Sequence, residues 1–565
     1  MNGLIAQAHP NAHFRLIDWI VVAAYLAGTT WLGARLAGKQ ATIRDFFLGG
    51  RKLPWWAVTG SNIATEISAV SIISVPAIVF AIGGDFRYLQ LALGSIAARF
   101  IVAYWFVPAY YAREIYSPYQ YMGQRLGKNV DYAATGLFLI SATLGQGVRL
   151  FTTALVLQIV TGIDLWWSIW IIGAFGVAWT LMGGITTVIW TDVIQFSILV
   201  AGAVVALIWV FHVVPGGTSE VWHLAGKAGK LRVFDLSRDL SNEYTLWSGL
   251  FGMTFLNLAA LGTDQVMAQR IFCCRNVRDA RKAVIASNFG LLVPVLLLFV
   301  GAGLFAYFHH FPLVGDEAAM VAERRDRIFP LFIVKVLPAG VTGLVIAAIF
   351  AAAISTLDGS LAALSQASVM SIYAPLLKAW KKRTLTPDDH HAVTVSRYFV
   401  VFWGIILSVA ATALIPLRFG RLIDLALSVP AYTYGALLGT LLLALLPTRY
   451  DDRGLAWGVP ASILAVVAVS VRGPERFAPF IPWIIAAGCV LLVASAIAAF
   501  RRDPARICLV VGAAATIAFL HWLTFPRLAK SPGLVLAYPW HYPIGTLMTF
   551  VLGWGLAGRK NASSN

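Results

Sequence analysis

Charge is scarce in this chain. Asp, Glu, Lys and Arg make up 12% of its 565 residues, against 59% hydrophobic side chains. A water-soluble domain carries about 25% charge, so a soluble globular protein is excluded. There is no G-x-x-x-x-G-K-[ST] run, which excludes nucleotide hydrolysis on a phosphate loop. There are only four cysteines, Cys273, Cys274, Cys489 and Cys508, and they lack metal-ligand spacing. Cys273 and Cys274 fall at the expected cytoplasmic end of a span, where thiols stay reduced. Nearly all histidines fall in loops or at span ends, so the convergent groups of an intramembrane enzyme are missing. No output domain follows the last apolar run, which argues against a receptor.

Long apolar runs fill the chain instead. A membrane helix needs about 20 apolar residues. By that rule the sequence predicts spans at 17–37, 55–83, 87–111, 131–161, 164–182, 184–214, 242–272, 281–308, 342–374, 393–416, 421–446, 454–472, 480–499, 506–525 and 540–557. These runs are too long and continuous for barrel strands. The fold class is an all-α polytopic membrane protein with about 13–15 transmembrane helices. The first run lacks a small-residue cleavage site and reads as a span, not a signal peptide. The net charge of +17 reflects location rather than nucleic acid. Lys and Arg gather in 38–54, 112–130, 273–280, 375–392, 447–453, 500–505 and the tail from Arg559, on alternate sides of the span series. The positive-inside rule places these in the cytoplasm, the N-terminus outside and the C-terminus inside a plasma (inner) membrane.

A charge at membrane depth costs roughly 2.5–3.5 kcal/mol. The candidates are Glu66, Arg99, Arg149, Asp192, Asp264 and Asp358. One reading is that they pair and hold the bundle together, which is the favoured reading for Arg99. The stretch Asn62–Ser74, NIATEISAVSIIS, asks for more. Ala64 and Ile67 could bind an ion only through their carbonyls, which are free only if the helix breaks. Ser61, Thr65, Ser68 and Ser71 would satisfy the freed backbone, and Pro76 is expected to end the helical run. In Ile349–Ser365, Ala352, Ser355, Thr356 and Gly359 share one helix face. That face suits tight packing, with hydroxyls bonded to the preceding turn, or it suits a hard cation such as Na+. Leu256–Gln265, with Gly262 and Asp264, is a second candidate break. The two segments begin spans that are each followed by four more, as in two inverted five-helix repeats.

Four motifs in order resemble the sodium:solute symporter family, which includes transporters of glucose, proline, iodide and multivitamins. They are DFFLGGRKLPWW before the second span, GGITTVIWTDVIQ at Gly183–Gln195, GTDQVMAQR at Gly262–Arg270 and AAISTLDGSLAALS at Ala352–Ser365. The resemblance runs from about residue 17 to 446, with an echo in PWHYPIGTLMTFVLGWGL. It implies a flanking helix and loop over 1–54, an inverted-repeat core over 55–446 (repeats about 55–215 and 242–446), and flanking helices with a short tail over 447–565. It implies Na+ as coupling ion, held by the carbonyls of Ala64, Ile67 and Ala352 and the hydroxyls of Ser355 and Thr356. Asp192 matches a residue implicated in sodium coupling in some members. With Asp358 it forms a possible second cation site; Asp358 could instead take a proton, cap the helix or pair with a basic residue.

On the substrate side the resemblance implies Glu66, Ser68, Ser71, Gln90, Arg149, Asn257 and Ala260. A Glu66–Arg149 pair is preferred, the alternatives being a bond from Glu66 to a substrate amine or hydroxyl, or its protonation by burial. Sugar transporters of the family carry an aromatic gate at Ala260 and a lysine at Gly290, so a hexose fits poorly. An organic carboxylate or a polyol fits better. The expectation is a sodium-coupled symporter, not an enzyme, that imports a small polar organic solute by alternating access. Its partners are the solute and the lipid bilayer, not nucleic acid. The alternatives are a proton-coupled symporter of the same fold and a non-transporting solute sensor. Ser355 and Thr356 together argue for sodium.

Overall fold

The computed structural model describes residues 14–36, 42–113, 115–382, 390–416, 422–448, 450–470, 481–524 and 536–558. Arg383, the tail from Arg559 and parts of the other basic segments lie outside these residues. Among the described residues, every expected span coincides with helical structure, in some a single helix and in others a run of consecutive helical segments. Eleven helices among the described residues are long and apolar enough to cross a membrane, and the bent pair Trp55–Glu66 and Ala69–Phe80 passes the same test together. Ser248–Gly262, Leu455–Ser470 and His541–Leu556 are shorter apolar helices. The protein is a multi-pass membrane protein.

The helices that position the site are α1 (Leu16–Leu36), α2 (Trp55–Glu66), α3 (Ala69–Phe80), α4 (Leu165–Val213), α5 (Met253–Gly262), α6 (Gln265–Phe272), α7 (Leu292–His310) and α8 (Val341–Ser368). The chain divides into two compact units. One comprises Met1–Leu89, Ala142–Val233 and Gln269–Ala426; the other comprises Gln90–Ser141, Phe234–Ala268 and Leu427–Asn565.

In the first unit α8 is buried along nearly its whole length, against α4, α1 and α2. Its N-terminus is capped from another helix. The buried Asp18 of α1 accepts the Gly340 and Gly343 amides at 2.7 and 2.8 Å, which satisfies orphan N–H groups at the positive end of the helix dipole. α4 has 49 residues. As a straight rod it would run about 74 Å, far beyond a hydrocarbon core of about 30 Å. It kinks at Gly184, whose φ of 55° and ψ of −168° suit glycine alone. The expected spans 164–182 and 184–214 meet there.

Pro76 departs from expectation. It does not end the helix: α3 runs through it to Phe80. A proline removes one N–H and crowds the carbonyl a turn back, but packing in a bundle absorbs that cost. Here Gly301 of α7 approaches so closely that a Cβ would lie 2.5 Å from the Pro76 carbonyl oxygen.

Candidate cation site at the first helix break

The expected break in Asn62–Ser74 is present. Helical dihedrals stop at Ile67 (φ −89°, ψ 98°) and Ser68 (φ −93°, ψ 170°), and α2 and α3 are bent by 59°. The Ser71 amide donates to the Ser68 carbonyl at 2.9 Å instead of to Ile67, so the Ile67 carbonyl is released from helical bonding. The ψ of Ile67 likewise turns the Ser68 amide away from Ala64, its acceptor in a continuous helix. Ala64, Thr65, Ile67 and Ser68 are buried; Glu66 and Ser71 are half-buried.

α8 brings its hydroxyls to this break. Ser355 and Thr356 are buried, and Thr356 Oγ1 lies 3.4 Å from the Thr65 carbonyl oxygen and 2.9 Å from that of Ala352. A carbonyl from the last turn of α2, a hydroxyl of α8 and a carbonyl of α8 therefore lie together; the α2 carbonyl is that of Thr65, next to Ala64, rather than that of Ala64 or Ile67 itself. Neutral oxygens of these two kinds are what a hard monovalent cation takes. The Ser355 hydroxyl donates to Asp192 Oδ1. That fixes its hydrogen and leaves its lone pairs available as a ligand, as outer partners orient ligands elsewhere.

Asp192 is the centre of a buried network. Its Oδ2 accepts from the Ser61 hydroxyl and from Arg270 Nη2 at 3.2 Å. Arg270 Nε donates to Ser61 Oγ at 2.8 Å. Both charged side chains have 0% exposure. Ser61 therefore serves this ion pair rather than the backbone of the break; it is Thr65 that donates to backbone, to the Ser61 carbonyl at 2.9 Å. Asp358 is buried one turn away, and its Oδ1 accepts the Gly359 amide at 2.6 Å. It borders a cavity of about 10 Å³ with Thr29, Thr30, Thr187 and Thr191, room for one water.

Arg270 is the residue that sequence reasoning passes over. α6 is short and polar, so a hydropathy window places Arg270 at the cytoplasmic edge. The whole of α6 is buried, so no one face marks Arg270 out; the usable signal is that it is the one Lys or Arg within the expected span 242–272.

The residues expected on the substrate side divide between the units. Glu66, Ser68, Ser71 and Arg149 belong to the first; Glu66 and Arg149 are both half-buried. Gly290 packs on α2, where a Cβ would lie 2.8 Å from the Ile63 side chain, so a larger residue there would have to shift Ile63. Gln90, Asn257 and Ala260 belong to the second unit. Gln90 uses both ends of its amide within that unit, accepting from the Asp235 amide at 3.1 Å and donating to the Tyr244 carbonyl at 2.9 Å. Asn257 accepts from Ser95 at 3.1 Å and donates to the Met253 carbonyl at 2.8 Å. Ala260 is half-buried. Arg99 donates to the Ser95 carbonyl at 3.2 Å and to the Ser95 hydroxyl, one turn back on its own helix.

The sodium:solute symporter family model matches residues 46–461. The sodium/sialic acid symporter SiaT of Proteus mirabilis is 28% identical over 465 residues, which are 82% of this chain and 91% of that protein. Sodium-coupled monocarboxylate transporter 2 of Bos taurus is 28% identical over 464 residues, 81% of this chain and 73% of that protein. The solved substrate-bound, outward-open state of a Na+-coupled sialic acid symporter superimposes with a TM-score of 0.77 at 25% identity, covering 97% of this chain and all of that one. These relatives are transporters. The chain belongs to the sodium:solute symporter family, with Na+ as its coupling ion.

Proposed function

We propose that this symporter imports a small organic carboxylate, and that Ala64, Ile67, Ala352, Ser355 and Thr356 hold the sodium ion that drives it. The observation that carries the ion site is the opened backbone at Ile67–Ser68 beside the buried Ser355 and Thr356 hydroxyls. The substrate class is supported by what sialic acid and the monocarboxylates of the relatives have in common, a carboxylate. Arg149 is the cation assigned to it. Glu66, Ser68 and Ser71 offer polar groups at the break.

Sodium joins α2 and α8 and favours the outward-open state, with the solute bound beside it. The outer path then closes and the inner one opens. Each charge moved gains about 2.3 kcal/mol per 100 mV. Coupling is reciprocal: sodium raises solute affinity by the factor by which solute raises sodium affinity. The distribution of Lys and Arg supports an outside N-terminus and a cytoplasmic C-terminus in the plasma membrane.

Thermal unfolding of the purified protein tests this. A ligand of the folded state stabilises it by about 2.7 kcal/mol at a hundredfold its Kd. The expected result is a rise in Tm in NaCl, absent in choline chloride and KCl and lost in Thr356→Ala, followed by a second rise with sialic acid or lactate only when sodium is present. An equal rise in KCl, or one that survives Thr356→Ala, would overturn the ligand set. A rise with glucose and none with either carboxylate would overturn the substrate class.

A further inference from the structure

A cavity of about 480 Å³ lies within the second unit, between the helices Lys128–Thr161, Ala431–Leu445 and Leu455–Ser470. Clefts of roughly 300–1,000 Å³ hold small molecules. The first and third of these helices begin here and the second ends here, so the mouth stands at a membrane–water boundary. The basic segments 112–130 and 447–453 adjoin it, which marks that boundary as the expected cytoplasmic one. Below the mouth the walls are apolar: Ala133, Ala134, Leu137, Ala456, Val459 and Pro460. The three alanines leave open a space that leucine or phenylalanine would fill. Ala133, Ala456 and Pro460 are exposed, and on a membrane helix that exposure is to acyl chains, so the cavity opens sideways to lipid. The mouth carries charge of both signs. Asn129 Nδ2 donates to Asp452 Oδ2 at 3.0 Å across the opening. Arg453, with a side chain 75% exposed, lies 3.4 Å from Asp451 through its Nε. Asp451 also accepts the Gly558 amide at 2.9 Å and the Arg453 amide at 3.2 Å. An ion pair this exposed holds its arginine weakly, and a phosphate can take the guanidinium from it through two parallel hydrogen bonds.

We propose that this cavity binds one phosphatidylethanolamine molecule from the adjoining leaflet, with an acyl chain between the helices Lys128–Thr161 and Leu455–Ser470, its phosphate on Arg453 and its ammonium on Asp452. The two charges of that headgroup are joined by a two-carbon link, and Asp452 and Arg453 are consecutive residues on one rim. The carboxylate beside the guanidinium selects among lipids. The trimethylammonium of phosphatidylcholine has no N–H to donate to Asp452. Phosphatidylglycerol brings a negative charge with no cation, and would meet Asp451 and Asp452 as well as Arg453. A free phosphate would leave the apolar walls uncovered. Lipid tails are as apolar as these walls, so the chain is held by close packing rather than by expulsion of water, which is why the shape of the cavity matters. The site shares no residue with the proposed sodium ligands and stands or falls independently of them. A lipid there joins the helix Lys128–Thr161 to the flanking helix Leu455–Ser470 and makes their contact depend on bilayer composition.

Native mass spectrometry of the purified full-length protein tests this, after its native lipid has been stripped. The protein is titrated with dioleoyl phosphatidylethanolamine, phosphatidylcholine or phosphatidylglycerol. The expected result is a single saturable phosphatidylethanolamine per chain, bound more tightly than the other two by on the order of tenfold, the worth of one hydrogen bond to a charged group. Exchange of sodium for choline should not change it. Ala456→Trp fills the cavity from its exposed side and should abolish the saturable binding. Asp452→Asn should erase the preference over phosphatidylcholine, and Arg453→Gln should weaken binding of all three lipids. Equal binding of the three lipids by wild type would overturn the proposal, as would the absence of any saturable lipid. Phosphatidylethanolamine binding that survives both Ala456→Trp and Asp452→Asn would overturn the site. A preference for phosphatidylglycerol would overturn the headgroup assignment and leave Arg453 as its reader alone.

Discussion

The two helix breaks handle freed backbone groups in opposite ways. At the second, between α5 and α6, the protein closes the gap. The Thr263 and Asp264 amides both donate to the Ala259 carbonyl, at 2.8 and 3.2 Å, and the Thr263 hydroxyl joins them at 2.7 Å. Asp264 caps α6 by accepting the Val266 amide at 2.8 Å, and the Tyr434 hydroxyl donates to its other oxygen. Tyr110 donates to the Gly262 carbonyl at 2.5 Å. At the first break, Ser68 stands where a capping side chain belongs and makes no capping bond, although such a bond is worth about 1 kcal/mol. A sealed break fixes a bend. One left open beside buried hydroxyls keeps oxygens for a ligand.

The largest effects should come from the network behind the open break. Asp192→Ala leaves the Arg270 guanidinium buried without its carboxylate, and removal of one partner from a buried pair costs about 3–5 kcal/mol. The variant should lose monodispersity or unfold at markedly lower temperature. Asp192→Asn, which keeps one of the two acceptor oxygens, should lose less. Equal stability of Asp192→Ala and wild type would mean the pair does not hold α2, α4 and α6 together. Next comes Thr356→Ala, which removes a proposed ligand and should abolish saturable sodium binding. The sodium concentration at half-maximal Tm shift measures it. At the sealed break, Tyr434→Phe should leave that concentration unchanged. A comparable sodium effect from Tyr434→Phe would erase the distinction between the breaks.

The open break is legible in sequence because Ala64 and Ile67 stand among Ser61, Thr65, Ser68 and Ser71 in a run otherwise built for lipid. The register of Ser355 and Thr356 is legible for the same reason: hydroxyls repeat on a face that helical periodicity turns inward. Other features depend on contacts between distant segments. The cost of Pro76 is absorbed by packing against Gly301, which lies 225 residues away (301 − 76). Arg270 is interior only because Ser61, Asp192 and Gly359 close around it. Gln90 and Asn257 are side-chain amides that could serve a solute or brace a unit, and their composition does not distinguish the two. Their hydrogen bonds to Tyr244, Asp235, Ser95 and Met253 do the bracing.

The sealed break should also register in stability. Tyr434→Phe removes a hydrogen bond to a carboxylate, a bond type worth about 1.5–3 kcal/mol. Its unfolding temperature should fall while its sodium response stays intact. A fall no larger than for a surface substitution would mean that Asp264 is held well enough by its own capping bonds.

The smallest effect concerns how the open helix is held at its far end. Lys230 Nζ donates to the Val79 and Ala81 carbonyls at 2.7 and 2.5 Å, at the C-terminus of α3, and lies 4.6 Å from the centre of the Phe305 ring. An ammonium there complements the helix dipole. Burial pushes its pKa down from 10.5 to about 8; Asp85 opposes that shift and Arg325 adds to it. Between those two values the unfolded chain binds the proton and the native chain does not, so stability rises with pH across that window. The Tm of wild type relative to Lys230→Met should therefore improve between pH 8 and 10, by on the order of 2 °C. A difference that is flat over this range would mean that Lys230 keeps its charge throughout. α3 would then be clamped at its far end by a permanent cation, as firmly fixed there as the sealed break is at its centre, and only the middle of the first broken helix would remain free to respond to sodium.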